Sequence, residues 1–162
     1  MQGMNDIKER TDCRSNDIPV DVLKSSEPVV MRGLVADWPA VAGCSDASAA
    51  ERYLGGFATD APVTAYLTEP EHQGRYFYND NMDGFNFKSA AAPLNQVLAR
   101  LKAICAGEHE PQSIYVGSTV VDQWLPGFRE VNDLGLAVAN PLVSFWLGNQ
   151  TRISAHYDFP DN

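Results

Sequence analysis

A chain of 162 residues has the size of one domain, and 44% hydrophobic with 20% charged residues excludes disordered and fibrous classes. Twelve Lys and Arg against 21 Asp and Glu leave a net charge of -9 and a pI near 4.6, a balance that repels phosphate backbones and disfavours nucleic acid as a partner. No apolar run approaches the roughly 20 residues of a membrane span.

The polar start from Met1 to Arg14 lacks the apolar centre of a signal peptide. Cys13, Cys44 and Cys105 are odd in number and contain no CxxC spacing, which fits reduced thiols better than a disulfide or zinc framework. Both observations point to a cytoplasmic protein.

Residues 1–17 alternate in charge with almost no apolar periodicity, and are expected to form a flexible arm ahead of a single domain over 18–162. Residues 27–33 (EPVVMRG) predict a short β-branched strand closed by a glycine. Trp38 precedes Pro39, which disfavours helix at the tryptophan. Ser45 or Asp46 can cap a helix through Tyr53, with Gly55 and Gly56 as its stop. Strands follow at 62–68 and 75–78, and residues 79–84 (NDNMDG) supply turn chemistry.

The clearest helix opens near Pro93. Leu94, Val97, Leu98, Leu101, Ile104 and Cys105 recur at helical spacing, and Gly107 ends the run. Beyond Pro111 the chain turns β-rich, with a strand at 113–121 broken by residues 125–128 (LPGF). Residues 142–148 and 151–159 then read as a β-hairpin around the polar turn Asn149-Gln150.

That second strand carries the chemistry. Successive side chains point to opposite faces, so Arg152, Ser154, His156 and Asp158 share one face while Thr151, Ile153, Ala155, Tyr157 and Phe159 share the other. His156 and Asp158 can place an imidazole nitrogen and a carboxylate oxygen on adjacent positions of one octahedral metal ion. With a second histidine they make the 2-His-1-carboxylate set of non-haem Fe(II) oxygenases, which leaves a face open for cosubstrate and dioxygen. With three histidines and 21 acids the spacing alone is weak, and a surface His–Asp pair is its plain alternative; the polar face on a strand with an apolar reverse side is what favours a site. His72 falls in a turn-like segment and His109 between Glu108 and Glu110, and neither is placed like a strand-borne partner for His156.

Residues 145–148 (FWLG) leading into 155–158 (AHYD) and Asn162 resemble the cupin-like, JmjC-related family of Fe(II)/2-oxoglutarate-dependent oxygenases, the group of the asparaginyl hydroxylase of the hypoxia response. Residues 27–34 with Trp38-Pro39, residues 76–80 (YFYND) and residues 114–117 (IYVG) sit in the family's order. The resemblance implies an α+β fold: N-terminal helices and strands leading into the first strands of a double-stranded β-helix, a jelly-roll cupin barrel.

It also implies Fe(II) as cofactor, 2-oxoglutarate as cosubstrate and hydroxylation as the reaction. Residue by residue, His156 and Asp158 match the first two iron ligands. Tyr115 matches a tyrosine whose hydroxyl contacts the cosubstrate carboxylate, and Asn162 a polar residue near it. Trp38 and Trp146 are expected to be core packing.

Two departures are visible. Ile153 stands where relatives often carry a threonine that helps to bind cosubstrate; Ser154 and Thr151 are the nearby hydroxyls. The family's second iron histidine and its basic cosubstrate anchor come from strands after the His-x-Asp strand, whereas the sequence ends at Asn162. The expectation is therefore an N-terminal portion of such an enzyme, with an incomplete barrel, weak iron affinity and exposed edges that favour a homodimer. The substrate is a small molecule or a protein. A non-catalytic cupin-like binding or interaction module is the alternative, and a cupin enzyme using another metal without 2-oxoglutarate is a third.

Overall fold

The computed structural model describes residues 7–11, 13–136 and 139–154. Within the segment expected to be a loose arm, β1 (Lys8–Arg10) is a strand. No apolar periodicity announces it. Charges hold it: Lys8 pairs with Glu27 at 2.9 Å, Arg10 with Asp21 and Glu9 with Arg32 at 2.7 Å. Asp21 belongs to α1 (Val20–Leu23), a single turn. The partner strand is β2 (Val29–Met31), parallel to β1 with Glu9 beside Val30.

Pro39 opens α2 (Pro39–Gly43), with Trp38 extended just before it, as the proline requires. Asp46 caps α3 (Ala47–Gly55) by accepting from the Ala49 N–H at 2.8 Å. β3 (Pro62–Thr68) leads through a 3-10 turn (Pro70–His72) to the short β4 (Arg75–Tyr76). The turn at 79–84 forms as its residues dictate, with the Asn79 N–H donating to the Gly84 carbonyl.

β5 (Phe87–Pro93) is a strand that its sequence hides, because residues 89–92 (SAAA) have little β-propensity. Full-length antiparallel pairing with β3 compensates, from Pro62 beside Pro93 to Thr68 beside Phe87. Then come α4 (Leu94–Cys105), β6 (Ser113–Val120), the one-turn helices α5 (Val121–Trp124) and α6 (Phe128–Val131), β7 (Ser144–Gly148) and β8 (Arg152–Ile153).

Four strands form one antiparallel sheet in the order β5-β3-β6-β7, which fits half of a β-sandwich. Alternation divides it into two faces. Val63 and Ala65 of β3, Ile114 and Val116 of β6, and Phe145 and Leu147 of β7 turn to one side. There they meet Leu94, Val97, Leu98 and Leu101 of α4, together with Val121 and Leu125. This is the core, and Leu94 at its centre is 0% exposed. α3 lies against α4, where Lys102 and Glu51 pair at 2.7 Å.

Among the described residues the expected hairpin does not form. β7 pairs with β6, but β8 leaves it and pairs in parallel with β4, Arg152 beside Arg75 and Ile153 beside Tyr76. Asn149 causes the departure. Its side chain accepts from the Ile114 N–H at 2.8 Å and donates to the Gln112 carbonyl at 3.1 Å, so it docks on the start of β6 as another strand would. Gln150 then takes a left-handed conformation, φ 50°, and the chain crosses to β4. Trp146 is also corrected: it is 54% exposed and no part of the core.

Candidate functional site on the aromatic face of the sheet

The other face of the sheet belongs to a different set of side chains. Tyr66 of β3 lies beside Tyr115 of β6 in the strand register, Thr68 beside Ser113, and Thr68 beside Phe87 of β5. Because Phe145 and Leu147 turn to the core, Trp146 between them turns to this face. The rings touch one another: Tyr66 and Phe87 are 5.5 Å apart and edge-on, and Tyr66 and Tyr115 are 6.2 Å apart. Aromatic pairs at these separations add stabilisation beyond their buried area.

Tyr76 closes one end of the face. Its ring packs on Tyr115 at 5.6 Å and on Phe87 at 5.4 Å, and its hydroxyl donates to the Tyr66 carbonyl at 3.0 Å. Ser113 Oγ, 3.5 Å from that hydroxyl, donates onward to the Asn149 carbonyl. Burial pushes the Tyr76 phenol above its ordinary range; the Ser113 contact opposes this and the neighbouring Tyr115 adds to it. Under this lid Thr68 is buried, whereas Thr64, Ser89 and Trp146 at the far end are exposed.

The face is therefore covered by Tyr76 at the β4 end and exposed toward β7 and the outer half of β5. Gly117 lies within it. A Cβ there would stand 3.6 Å from the Tyr115 ring and 3.7 Å from the Tyr66 ring, so the glycine leaves room for a methyl-sized group beside both.

Of the residues expected to form the site, Tyr115 is at the centre of this face, half-buried between Tyr66 and Tyr76. His156, Asp158 and Asn162 lie outside the described residues. Of the alternation that groups Arg152 with Ser154, His156 and Asp158, the described residues carry Arg152 and Ile153 in the ladder with β4. Ile153 lies beside Tyr76 in the β4–β8 register and is 41% exposed.

Thr151 lines a groove at the end of that ribbon. His72 closes the 3-10 turn after β3, and His109 is exposed. Sequence reasoning assigns no role here to Tyr66, Tyr76 or Gly117, and it places Trp146 in the core. The signal was present for the two β3–β6 tyrosines, which both occupy the phase opposite the core positions of their strands.

The donor chemistry of His156 with Asp158, one imidazole nitrogen and one carboxylate oxygen, fits ferrous iron. Among the described residues no three His, Cys, Asp or Glu side chains come together to hold a metal. Also among the described residues, no helix is long and apolar enough to cross a membrane.

The family model of the cupin-like domain matches residues 15–162, and the chain belongs to that family. No curated protein matches the chain.

Proposed function

We propose that this cupin-like chain is part of an Fe(II)- and 2-oxoglutarate-dependent oxygenase, a hydroxylase. His156 and Asp158 are two of its three protein iron ligands, Tyr115 and Asn162 contact the cosubstrate, and a histidine beyond residue 162 is the third ligand. One observation carries the reading: β8, the strand that leads to His156, runs beside Tyr76, the residue that lids Tyr115. The chain that precedes the His-x-Asp spacing in sequence thus runs beside the residue that packs on the tyrosine assigned by the family resemblance to the cosubstrate.

Bound iron supplies activation of dioxygen, with electrons from 2-oxoglutarate, for hydroxylating an unreactive C–H bond. The chain's own residues do the rest. The Tyr115 hydroxyl orients a cosubstrate carboxylate, the Tyr66, Tyr76 and Phe87 rings exclude water from the closed end, and the exposed Trp146 end admits substrate. The test is Mn(II) binding, followed by electron paramagnetic resonance, in wild type, His156→Ala and Asp158→Ala, together with ferrous-dependent succinate formation by the protein extended beyond residue 162. Each substitution should weaken the metal at least about tenfold. Equal binding by all three, or an extension with no histidine able to reach the metal, overturns the reading.

Ile153 favours a second reading, a non-catalytic cupin-like binding module, since an aliphatic chain cannot hydrogen-bond a cosubstrate. A module purifies without iron and is indifferent to His156→Ala apart from stability.

A further inference from the structure

Arg75 and Arg152 stand side by side in the parallel ladder of β4 and β8. Neighbouring strands are about 4.8 Å apart, and like charges placed directly opposite one another destabilise a ladder. In a chain with 21 acidic residues and only 12 basic ones, such a pair would be expected to collect carboxylates. Among the described residues neither arginine is in an ion pair, so no carboxylate there offsets the two adjacent charges. Both are exposed, on the side of the ribbon opposite the buried Tyr76.

Arg75 is nevertheless held in place. Its guanidinium lies over the Phe77 ring at 4.5 Å from the centroid, which fixes the plane and leaves the N–H edge available. Arg152 borders an open groove of about 590 Å³, a volume typical of small-molecule sites. Gln73, Gln150 and Thr151 add amide and hydroxyl donors to its wall. Glu69, next to the groove's Pro70, is turned to the Gln112 amide at 3.5 Å.

We infer that Arg75 and Arg152, with the adjoining groove, form a binding site for a small oxyanion ligand, one bearing a carboxylate or a phosphate group. A guanidinium presents a planar fork of N–H donors matched to two oxygens of such a group. An anion held between two such groups in register would relieve their mutual repulsion. The two arginines are on the side of the ribbon opposite Tyr76, the groove reaches Ser113, and the proposal does not depend on the oxygenase reading.

The test is thermal unfolding and titration calorimetry of the chain in phosphate, in succinate and in chloride, all at one ionic strength. A ligand that binds only the folded chain raises Tm. Phosphate or succinate should raise Tm over chloride, and the anion that does so identifies the ligand's group. Arg152→Gln and Arg75→Gln should each weaken that anion about tenfold or more. Both side chains are exposed, so these variants fold.

Arg75→Glu sets an opposite charge beside Arg152. It should abolish the anion response and raise Tm in chloride alone. Equal Tm in all three salts overturns the inference, as does an anion response that survives either glutamine variant. A Tm in chloride that falls with Arg75→Glu also overturns it, because the two arginines then do not repel.

Discussion

Tyr76 and Ile153 are neighbours in the β4–β8 ladder, and the Tyr76 ring rests 5.6 Å from that of Tyr115. A two-residue ribbon therefore does two things: it seals one end of the aromatic face and delivers the strand that leads to His156. Two parallel pairs give little stability by themselves. The ribbon is held instead by what crosses beneath it, the Asn149 side chain on β6 and the Tyr76 hydroxyl on β3.

Gly74 is the tightest point of that crossing. It has φ +75°, and a Cβ on it would collide with the Gln150 carbonyl, a backbone atom with no freedom to yield. Gly74→Ala should therefore cost more than the roughly 1 kcal/mol of an ordinary left-handed alanine, because the clash adds to the strain. Amide exchange should show the loss first at Arg152, whose N–H donates to the Gly74 carbonyl at 2.7 Å. Unchanged protection at Arg152 would mean that the approach of the two backbones is not needed.

Tyr76 makes an alkaline prediction. Its phenol is raised by burial, so above the ordinary tyrosine value of about 10 the unfolded chain releases this proton before the folded chain does. The folded state then holds more protons, and stability falls as pH rises through that window; below it the contribution is complete. Tyr76→Phe removes this share of the slope and loses the bond to the Tyr66 carbonyl, about 1 kcal/mol. Urea midpoints of wild type and variant, taken from neutral to alkaline pH, should converge above about pH 10. Parallel curves would show that Tyr76 ionises as freely in the folded chain as in the unfolded one.

The elements that follow from local pattern are legible in the sequence. α3 follows from its Asp46 cap, α4 from the spacing of Leu94, Val97, Leu98 and Leu101, and β3 and β6 from their β-branched and aromatic residues. What escapes is decided by partners distant in sequence. β5 is an alanine-rich run made a strand by β3, and β1 is a charged tripeptide made a strand by β2 and three ion pairs.

The hairpin between β7 and β8 is the instructive miss. Asn149-Gln150 has the right residue types for a tight turn, but Asn149 spends its amide on β6, a contact 35 residues away that no local rule contains. Tyr115 was legible as a candidate through family resemblance. Its surroundings were not, because Tyr66, Tyr76 and Phe87 reach it across three strand pairings.

Leu94 tests the division of the sheet into two faces. It is fully buried between α4 and the core side of β3 and β6, and Leu94→Ala should cost about 2–5 kcal/mol. Trp146→Ala, on the open face, should cost well under half of that, since more than half of its surface is already in solvent at 54% exposure. Chemical denaturation of both variants checks the contrast. Equal losses would mean that the aromatic face packs as a second core.

Tyr115 separates the packing role from the proposed binding role. Its ring contacts with Tyr66 and Tyr76 need no hydroxyl, so Tyr115→Phe should keep the fold, with a Tm within a few degrees of wild type. If the hydroxyl orients a cosubstrate carboxylate, the same change removes one charge-assisted hydrogen bond, worth about 1.5–3 kcal/mol, or tenfold and more in affinity. 2-Oxoglutarate titrated into the Mn(II)-loaded, extended protein should then bind correspondingly more weakly to the variant, while the affinity for Mn(II) alone stays the same. A variant that binds 2-oxoglutarate as tightly as wild type leaves Tyr115 a packing residue and moves the cosubstrate contact elsewhere. Because the metal affinity is read in the same titration, that outcome is distinguishable from failure of the iron site itself.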